Sequence, residues 1–503
     1  MTDTANMRLS SRLDELAGSD LYPFHMPGHK RQAVWEREEA GALHTALNAA
    51  HKIDITEIDG FDNLHDPEDI LREEMDFAAH FYGTRETFFS VNGSTCALLA
   101  AISAAVPQGG TILIERGCHI SVYHAAFLRN LEIRYIEETG LGEDAAGAAA
   151  VVITSPTYEG VVKDVRRFAE AARRIGAVLI VDEAHGAHFS MHPCFPASAI
   201  SCGADLVVQS THKTLPALTQ TALLHRVTDR VDSRSIRRFL DIYETSSPSY
   251  VLMASITQCI HAAAEHGPAW FGLYAKRLMA LRAKLNAELA HLHLAGSDEE
   301  VQSGRYDPGK IVILTGQAGF YTEEDGSRVP MDGPKLYDLL RETWRLQPEM
   351  KAPGYVLLMT SVSDTEEGFG RLLSALTEID KRIVPLPAFE KKPSAADEAC
   401  SDGTAAFPPC VMRIADAAER PCEWLPSDQA AGRVAADYVI VYPPDSPLVV
   451  PGEQFTGDVI DRIRALLEKG LSVTGLRRIR FPEEAGCAPE FDLPCIAEHG
   501  ITL

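Results

Sequence analysis

The chain has 503 residues, 46% of them hydrophobic, enough to bury large cores and, by length, to form about three domains. Its 47 basic and 71 acidic residues leave a formal charge of −24, which argues against nucleic acid or an anionic membrane as partner. No stretch approaches the roughly 18 uncharged apolar residues of a membrane span, the N-terminal residues lack the basic-then-apolar order of a signal peptide, and the ten cysteines contain no C-x-x-C pair that would suggest a zinc ribbon. The expectation is a cytoplasmic protein.

In chain order, residues 1–80 are rich in His, Asp and Pro ("PFHMPGHK", "DITEIDGFDNLHDPED") and poor in regular periodicity, so they read as an N-terminal arm or interface segment. Between about 85 and 230 short Val/Ile/Leu runs alternate with helix-like stretches: "TILIE" (111–115), "AAVVITS" (149–155), "AVLIVDEAH" (177–185) and "ADLVVQSTHK" (204–213). This alternation predicts an α/β fold with a mainly parallel central sheet covered on both faces, in a large domain over 81–300. A helical stretch is expected over 267–294. "DPGKIVILT" (307–315) and "YVLLMTS" (355–361) then open a smaller α/β domain over 301–388, the linker candidate is 386–409, and "YVIVYPPDSPLVVPGE" (438–453) lies in a C-terminal domain over 389–503.

Ligands of such sheets collect at the carboxyl ends of strands, so the polar residues that end the apolar runs carry the chemistry. In "FFSVNGSTCALLAAI" (88–102) a Gly-Ser-Thr turn precedes an Ala/Leu-rich helix, and Gly93, Ser94 and Thr95 offer N–H groups and hydroxyls to an anion such as phosphate. Serine and threonine also cap helices for structural reasons alone. "LIVDEAHGAHF" ends a strand in Asp182, a carboxylate that needs a partner such as a protonated heterocyclic nitrogen. His185, His188 and His192 nearby do not repeat a metal-ligand spacing, and no metal is expected. One strand–helix unit later, "VVQSTHKTLPALTQ" delivers Lys213 into a setting of hydroxyls and histidine, where a desolvated amine becomes a nucleophile able to form a Schiff base. Phosphate cradle, carboxylate and lysine are the three handles that pyridoxal 5'-phosphate (PLP) requires.

These residues carry a resemblance. "SVNGST", "HISVYHA" (119–125), "SPTYEGV" (155–161), "VDEAHGAH" (181–188) and "QSTHKTLPALTQTALLH" (209–225), with "FHMPGHK", "DPGK" (307–310) and "YPPDSPLVVPGE" (442–453), resemble the Orn/Lys/Arg decarboxylase family over nearly the whole chain, in its short bacterial form. The resemblance implies an aspartate-aminotransferase-like PLP fold. It makes Lys213 the lysine that forms the Schiff base, Asp182 the partner of the pyridine nitrogen and His119 the imidazole stacked on the ring. Ser94, Thr95, Ser210 and His212 would hold the phosphate, with Gly93 in the same turn; Ala184 would pack on the ring face, and His185 and Thr157 would complete the shell. Arg31-Gln32 after "PGHK", Asp445-Ser446 within "YPPDSPL" and Gly309 within "DPGK" depart from the family pattern without touching these positions.

The expected reaction is decarboxylation of a basic amino acid, arginine first, then lysine or ornithine, by at least a homodimer. The alternatives are an aminotransferase or lyase acting on another amino acid, and a non-catalytic PLP-binding protein. For the distal cation of the substrate the acidic candidates are Glu57, Asp59, Asp62 and Asp66 in the arm and Glu349 in "LQPEM", and His29 or Lys30 could line an entrance.

Overall fold

A computed structural model describes residues 22–23, 62–136, 141–142, 145–316, 318–386, 408–442, 446–480 and 488–497. Its largest sheet has seven strands: β1 (Glu86–Ser90), β2 (Thr111–Ile114), β3 (Glu132–Tyr135), β4 (Ala150–Thr154), β5 (Val178–Asp182), β6 (Leu206–Ser210) and β7 (Ala222–Arg226), in spatial order β1-β7-β6-β5-β4-β2-β3. Only β7 runs against the others. The carboxyl ends of β1, β2, β4, β5 and β6 therefore open on one edge.

Successive side chains of a strand point to opposite faces, and here both faces are buried. Ile112, Ile114, Val152, Ile180, Leu206 and Val208 enter one core, while Leu113, Val151, Ile153, Leu179, Val181 and Val207 enter the other. Full burial of each such side chain contributes roughly 1.5–3 kcal/mol. That two-sided demand is why the strands read as continuous apolar runs. Helices α1 (Ile70–Tyr82), α2 (Gly93–Ala105), α3 (Ile120–Leu128), α4 (Val165–Arg174) and α5 (Ser233–Tyr243) cover the sheet.

The helical stretch expected over 267–294 is instead α6, Tyr250–Glu288, 39 residues long. It starts earlier because Ser249 caps it by accepting from the Leu252 N–H and because Tyr250, Met253, Ile256 and Ile260 pack against the large sheet. An interior proline costs a helix about 3 kcal/mol. Pro268 is nevertheless carried inside α6, because Trp270, Phe271, Tyr274 and Leu278 on its far side are buried in the core of the second unit.

That unit is built on an antiparallel sheet of β8 (His293–Leu294), β9 (Lys310–Leu314), β10 (Met350–Ala352) and β11 (Tyr355–Met359), ordered β10-β11-β9-β8, with helix α7 (Glu366–Asp380) packed against α6. In the C-terminal region two three-stranded sheets, one from Cys422–Pro426, Arg477–Arg480 and Glu490–Ile496 and one from Val439–Tyr442, Ser446–Val449 and Ser472–Thr474, enclose the core with Phe455, Ile463 and Phe491. Arg116, just after β2, meets this region: its guanidinium pairs with Glu453, and its second nitrogen donates to the Leu448 carbonyl at 2.5 Å.

Candidate functional site

The common edge of the large sheet gathers the strand-end residues. Asp182 is the last residue of β5 and Ser210 the last of β6. A single helical turn, Thr211–Thr214, follows β6 and presents Lys213. Asp182 pairs in register with Val208 and Thr154 with Asp182, so strand pairing alone places Asp182 between the loops that carry Thr157 and Lys213.

Lys213 is half-buried, and burial lowers its proton affinity against the opposing charges of Asp182 and Glu349. Asp182 is buried and moves the other way: burial raises its pKa, while Lys213 and the Ala184 N–H, which donates to its Oδ1 at 3.1 Å, pull it back. A carboxylate and an amine that each pay for desolvation bear on one another here.

His185 stands between two amines. Its Nε2 is 3.0 Å from Lys213 Nζ and its Nδ1 is 2.8 Å from Lys310 Nζ. Burial, then both lysines, push its pKa well below the ordinary value, so the imidazole is neutral. His119, at the N-cap of α3, accepts from the Ser121 N–H through Nδ1 at 3.2 Å. A backbone N–H can only donate, so the neutral ring carries its proton on Nε2. Burial, aided by Lys213 and His124, lowers its pKa to about 3.

Two places are open to an anion. Ser210 is fully buried, its hydroxyl has no hydrogen-bond partner and it does not cap the turn that follows, which is costly for a polar group unless a ligand satisfies it. Across the sheet edge, Gly93 begins α2 with φ +78°, a conformation glycine adopts without steric cost, and donates to the Gln220 carbonyl at 2.8 Å. Half-buried Ser94 and exposed Thr95 follow in the first turn of α2. His212 directs Nδ1 to the Thr221 carbonyl at 2.9 Å. Thr157 lies in the loop after β4, where its Oγ1 accepts from the Val161 N–H at 3.2 Å. A buried orphan hydroxyl, an open helix N-terminus, a buried carboxylate and a desolvated lysine on one sheet edge are the donor set that PLP needs, and the residues fit it.

Of the substrate candidates, Glu349 is brought to this cluster: Tyr158 Oη donates to it, and its charge acts on both Lys213 and Lys310. Asp62 is occupied elsewhere. Its carboxylate accepts the backbone N–H groups of Asn63, Glu68, Asp69, Leu71 and Arg72 at 2.8–3.4 Å, at the start of α1. His29, Lys30, Glu57 and Asp59 lie outside the described residues.

Sequence reading missed Lys310 and His188. Lys310 was visible only as the last residue of "DPGK", a motif without an assigned task; His188 pairs with Asp307, the first residue of that motif, at 3.2 Å. Among the described residues no group of three or more His, Cys, Asp or Glu side chains is arranged to hold a metal ion, and no helix is long and apolar enough to cross a membrane.

Comparison with known proteins bears on the family and the fold. Residues 9–142 and 130–288 match the Orn/Lys/Arg decarboxylase major domain, and residues 396–478 match the C-terminal domain of the same family. The chain is 30% identical over 497 residues to YaaO, an uncharacterized protein of Bacillus subtilis, covering 94% of this chain and 97% of that one. It is 29% identical over 472 residues to an arginine decarboxylase of Bacillus anthracis, covering 90% of this chain and 91% of that one. Among solved structures, the constitutive lysine decarboxylase of E. coli superposes with a TM-score of 0.71 at 18% identity, over 97% of this chain and 81% of that one, and a serine palmitoyltransferase of Sphingomonas wittichii with 0.53 at 15%, over 71% and 86%. The likeness to these two concerns the fold alone, an α/β fold of the aspartate-aminotransferase type, and the sequence matches decide the family: the chain belongs to the Orn/Lys/Arg decarboxylase family.

Proposed function

We propose that this protein removes the α-carboxylate of a basic amino acid, arginine ahead of lysine or ornithine, with PLP as cofactor. The observation that carries the reading is the meeting of Lys213, Asp182 and the orphan Ser210 hydroxyl at one sheet edge. The preference for arginine rests on the relatives from Bacillus anthracis and Bacillus subtilis that are named arginine decarboxylases.

When bound, PLP supplies an electron sink for the pair left behind as the carboxylate departs. Lys213 would hold the cofactor covalently through its amine. Asp182 keeps a proton on the ring nitrogen: its carboxylate is desolvated, and a cation beside it restores the favourable ionised form. Ser210, Ser94, Thr95 and His212 bind the phosphate, with Gly93 letting the backbone approach. His119 would stack on one face of the ring and Ala184 would pack on the other, as the family resemblance implies, and His119 would help protonation at the substrate carbon. Thr157 and His185 complete the wall, and Glu349 offers its carboxylate to the distal cation of the substrate. The active unit would be at least a homodimer in the cytoplasm.

Borohydride reduction of the PLP-loaded protein followed by peptide mapping is expected to find the label on Lys213. Assay against a panel of amino acids is expected to yield CO2 and amine in equal amounts from a basic substrate. Label on another lysine removes Lys213 from its role, and a keto acid in place of CO2 makes the protein an aminotransferase.

A further inference from the structure

Two lysine amines flank one imidazole in this site, and they cannot both be ammonium groups hydrogen-bonded to it. A neutral imidazole has one N–H donor and one acceptor nitrogen, whereas an ammonium has donors only. With Lys213 Nζ at 3.0 Å from Nε2 and Lys310 Nζ at 2.8 Å from Nδ1, one amine must donate to His185 and the other must accept from it.

Lys310 is held for this task. It begins β9, is 1% exposed, and its backbone N–H donates to the Asp307 carbonyl at 3.1 Å. Its stem runs against Gly160, where a Cβ would lie 2.8 Å from both its Cβ and its Cγ; Gly160 also has φ +106°, so backbone and space both exclude a larger residue. Asp307 accepts from the Gly309 N–H at 2.9 Å and pairs with His188, which fixes the turn that aims Lys310. The Lys310 amine also lies 5.3 Å from the centre of the Tyr158 ring. The charges that act on it are those of Asp307, Lys213, Glu349 and Glu159.

We propose that Lys310 is a positioning residue that sets the proton on Lys213 through the two nitrogens of His185. In one arrangement Lys310 is the ammonium, donates to Nδ1, and leaves the Nε2–H pointing at the lone pair of neutral, nucleophilic Lys213. In the other, a Lys310 N–H bond has broken and its proton has bonded to Nδ1, while the Nε2–H bond has broken and its proton has bonded to Lys213. One positive charge is present in both arrangements, and nothing else is consumed. Lys213 is thereby deprotonated when it must attack and supplied with a proton after it has been displaced. The proton affinities fit a single shared charge: burial, with the like charge of Lys213, brings the Lys310 amine to about 7 against the pull of Asp307, and Lys213 is lowered as well.

This inference rests on Lys213 being the nucleophile of the proposed function, and its test needs no amino-acid substrate. In the full-length protein stripped of cofactor, the pH dependence of Lys213 modification by trinitrobenzenesulfonate, followed by peptide mass spectrometry, reports its proton affinity. Lys310→Met is expected to raise the midpoint by about one pH unit or more, because His185 then becomes free to accept from a Lys213 ammonium. In a His185→Phe background the same substitution is expected to move the midpoint by less than a third of that, since the path through the ring is gone. An equal shift in both backgrounds would reduce Lys310 to a simple repelling charge, and no shift in either would remove it from the site; both overturn the proposal. Lys310→Arg, which keeps the charge and the donor but does not give up a proton, is expected to preserve the low midpoint and PLP binding while slowing turnover at least tenfold; unchanged turnover overturns the relay. If the midpoints behave as expected and no amino acid is decarboxylated, the relay stands and the proposed reaction falls.

Discussion

Two clusters of buried charge in this molecule have opposite characters. Around Glu453, which is fully buried, every need is met. Arg116 pairs with both of its oxygens, Tyr135 Oη donates to it at 2.9 Å, the Val450 N–H donates at 2.9 Å, and the guanidinium nitrogen that meets Oε2 also donates to the Leu448 carbonyl. Around Lys213 the needs are left open: Ser210 has no partner, one imidazole serves two amines, and both lysines are pulled below their ordinary proton affinity. A saturated buried pair fastens the C-terminal region to the large sheet. An unsaturated one costs stability and is kept where a ligand completes it.

The contrast is sharpened most by Asp182→Asn. The amide still accepts from Ala184 but carries no charge to keep a proton on the cofactor ring, so turnover is expected to fall about 10²–10³-fold. The melting temperature of the cofactor-free protein is expected to stay level or rise, because a desolvated carboxylate has gone. A large loss of stability together with near-normal turnover would place Asp182 with the structural charges.

Glu453→Ala should do the reverse. It leaves Arg116 with its main partner removed, at a cost of about 3–5 kcal/mol in denaturant unfolding, whereas PLP bound to the folded protein keeps its absorbance. Loss of the cofactor spectrum at unchanged stability would break the distinction between the two clusters.

The smallest effect is expected at Asp62. Loss of a helix-capping carboxylate costs about 1 kcal/mol, and the positive φ of 64° at this residue adds to it for alanine. Asp62→Ala is therefore expected to lower the melting temperature slightly and to leave KM for a basic amino acid unchanged. A raised KM at constant stability would return Asp62 to the substrate entrance.

The large sheet and its reactive edge were legible because both depend on local pattern. Strands buried on two faces must be apolar at every position, so β4, β5 and β6 announce themselves, and the first polar residues after each run necessarily lie at the sheet edge. That alone draws attention to Thr157, Asp182, His185, Ser210 and Lys213. The start of α6 was not legible, since Gly267-Pro268 looks like a boundary and only packing on both sides carries a helix through it.

What tertiary structure decided is which edge residues face which. Lys310 and His185 are 125 positions apart, and Arg116 and Glu453 are 337 apart. Nothing in the periodicity around "DPGK" distinguishes a lysine aimed into the site from one on the surface, because the aim comes from Gly160 yielding space and from the His188–Asp307 pair. The carboxylate of Asp62 likewise could serve a substrate or a helix until the backbone of α1 claimed it. The sequence alone determined the residue types and their places along each strand, through local sterics and burial. Partnership between distant charges was decided by the packing of one unit against another, which depends on shape and desolvation that no local pattern encodes.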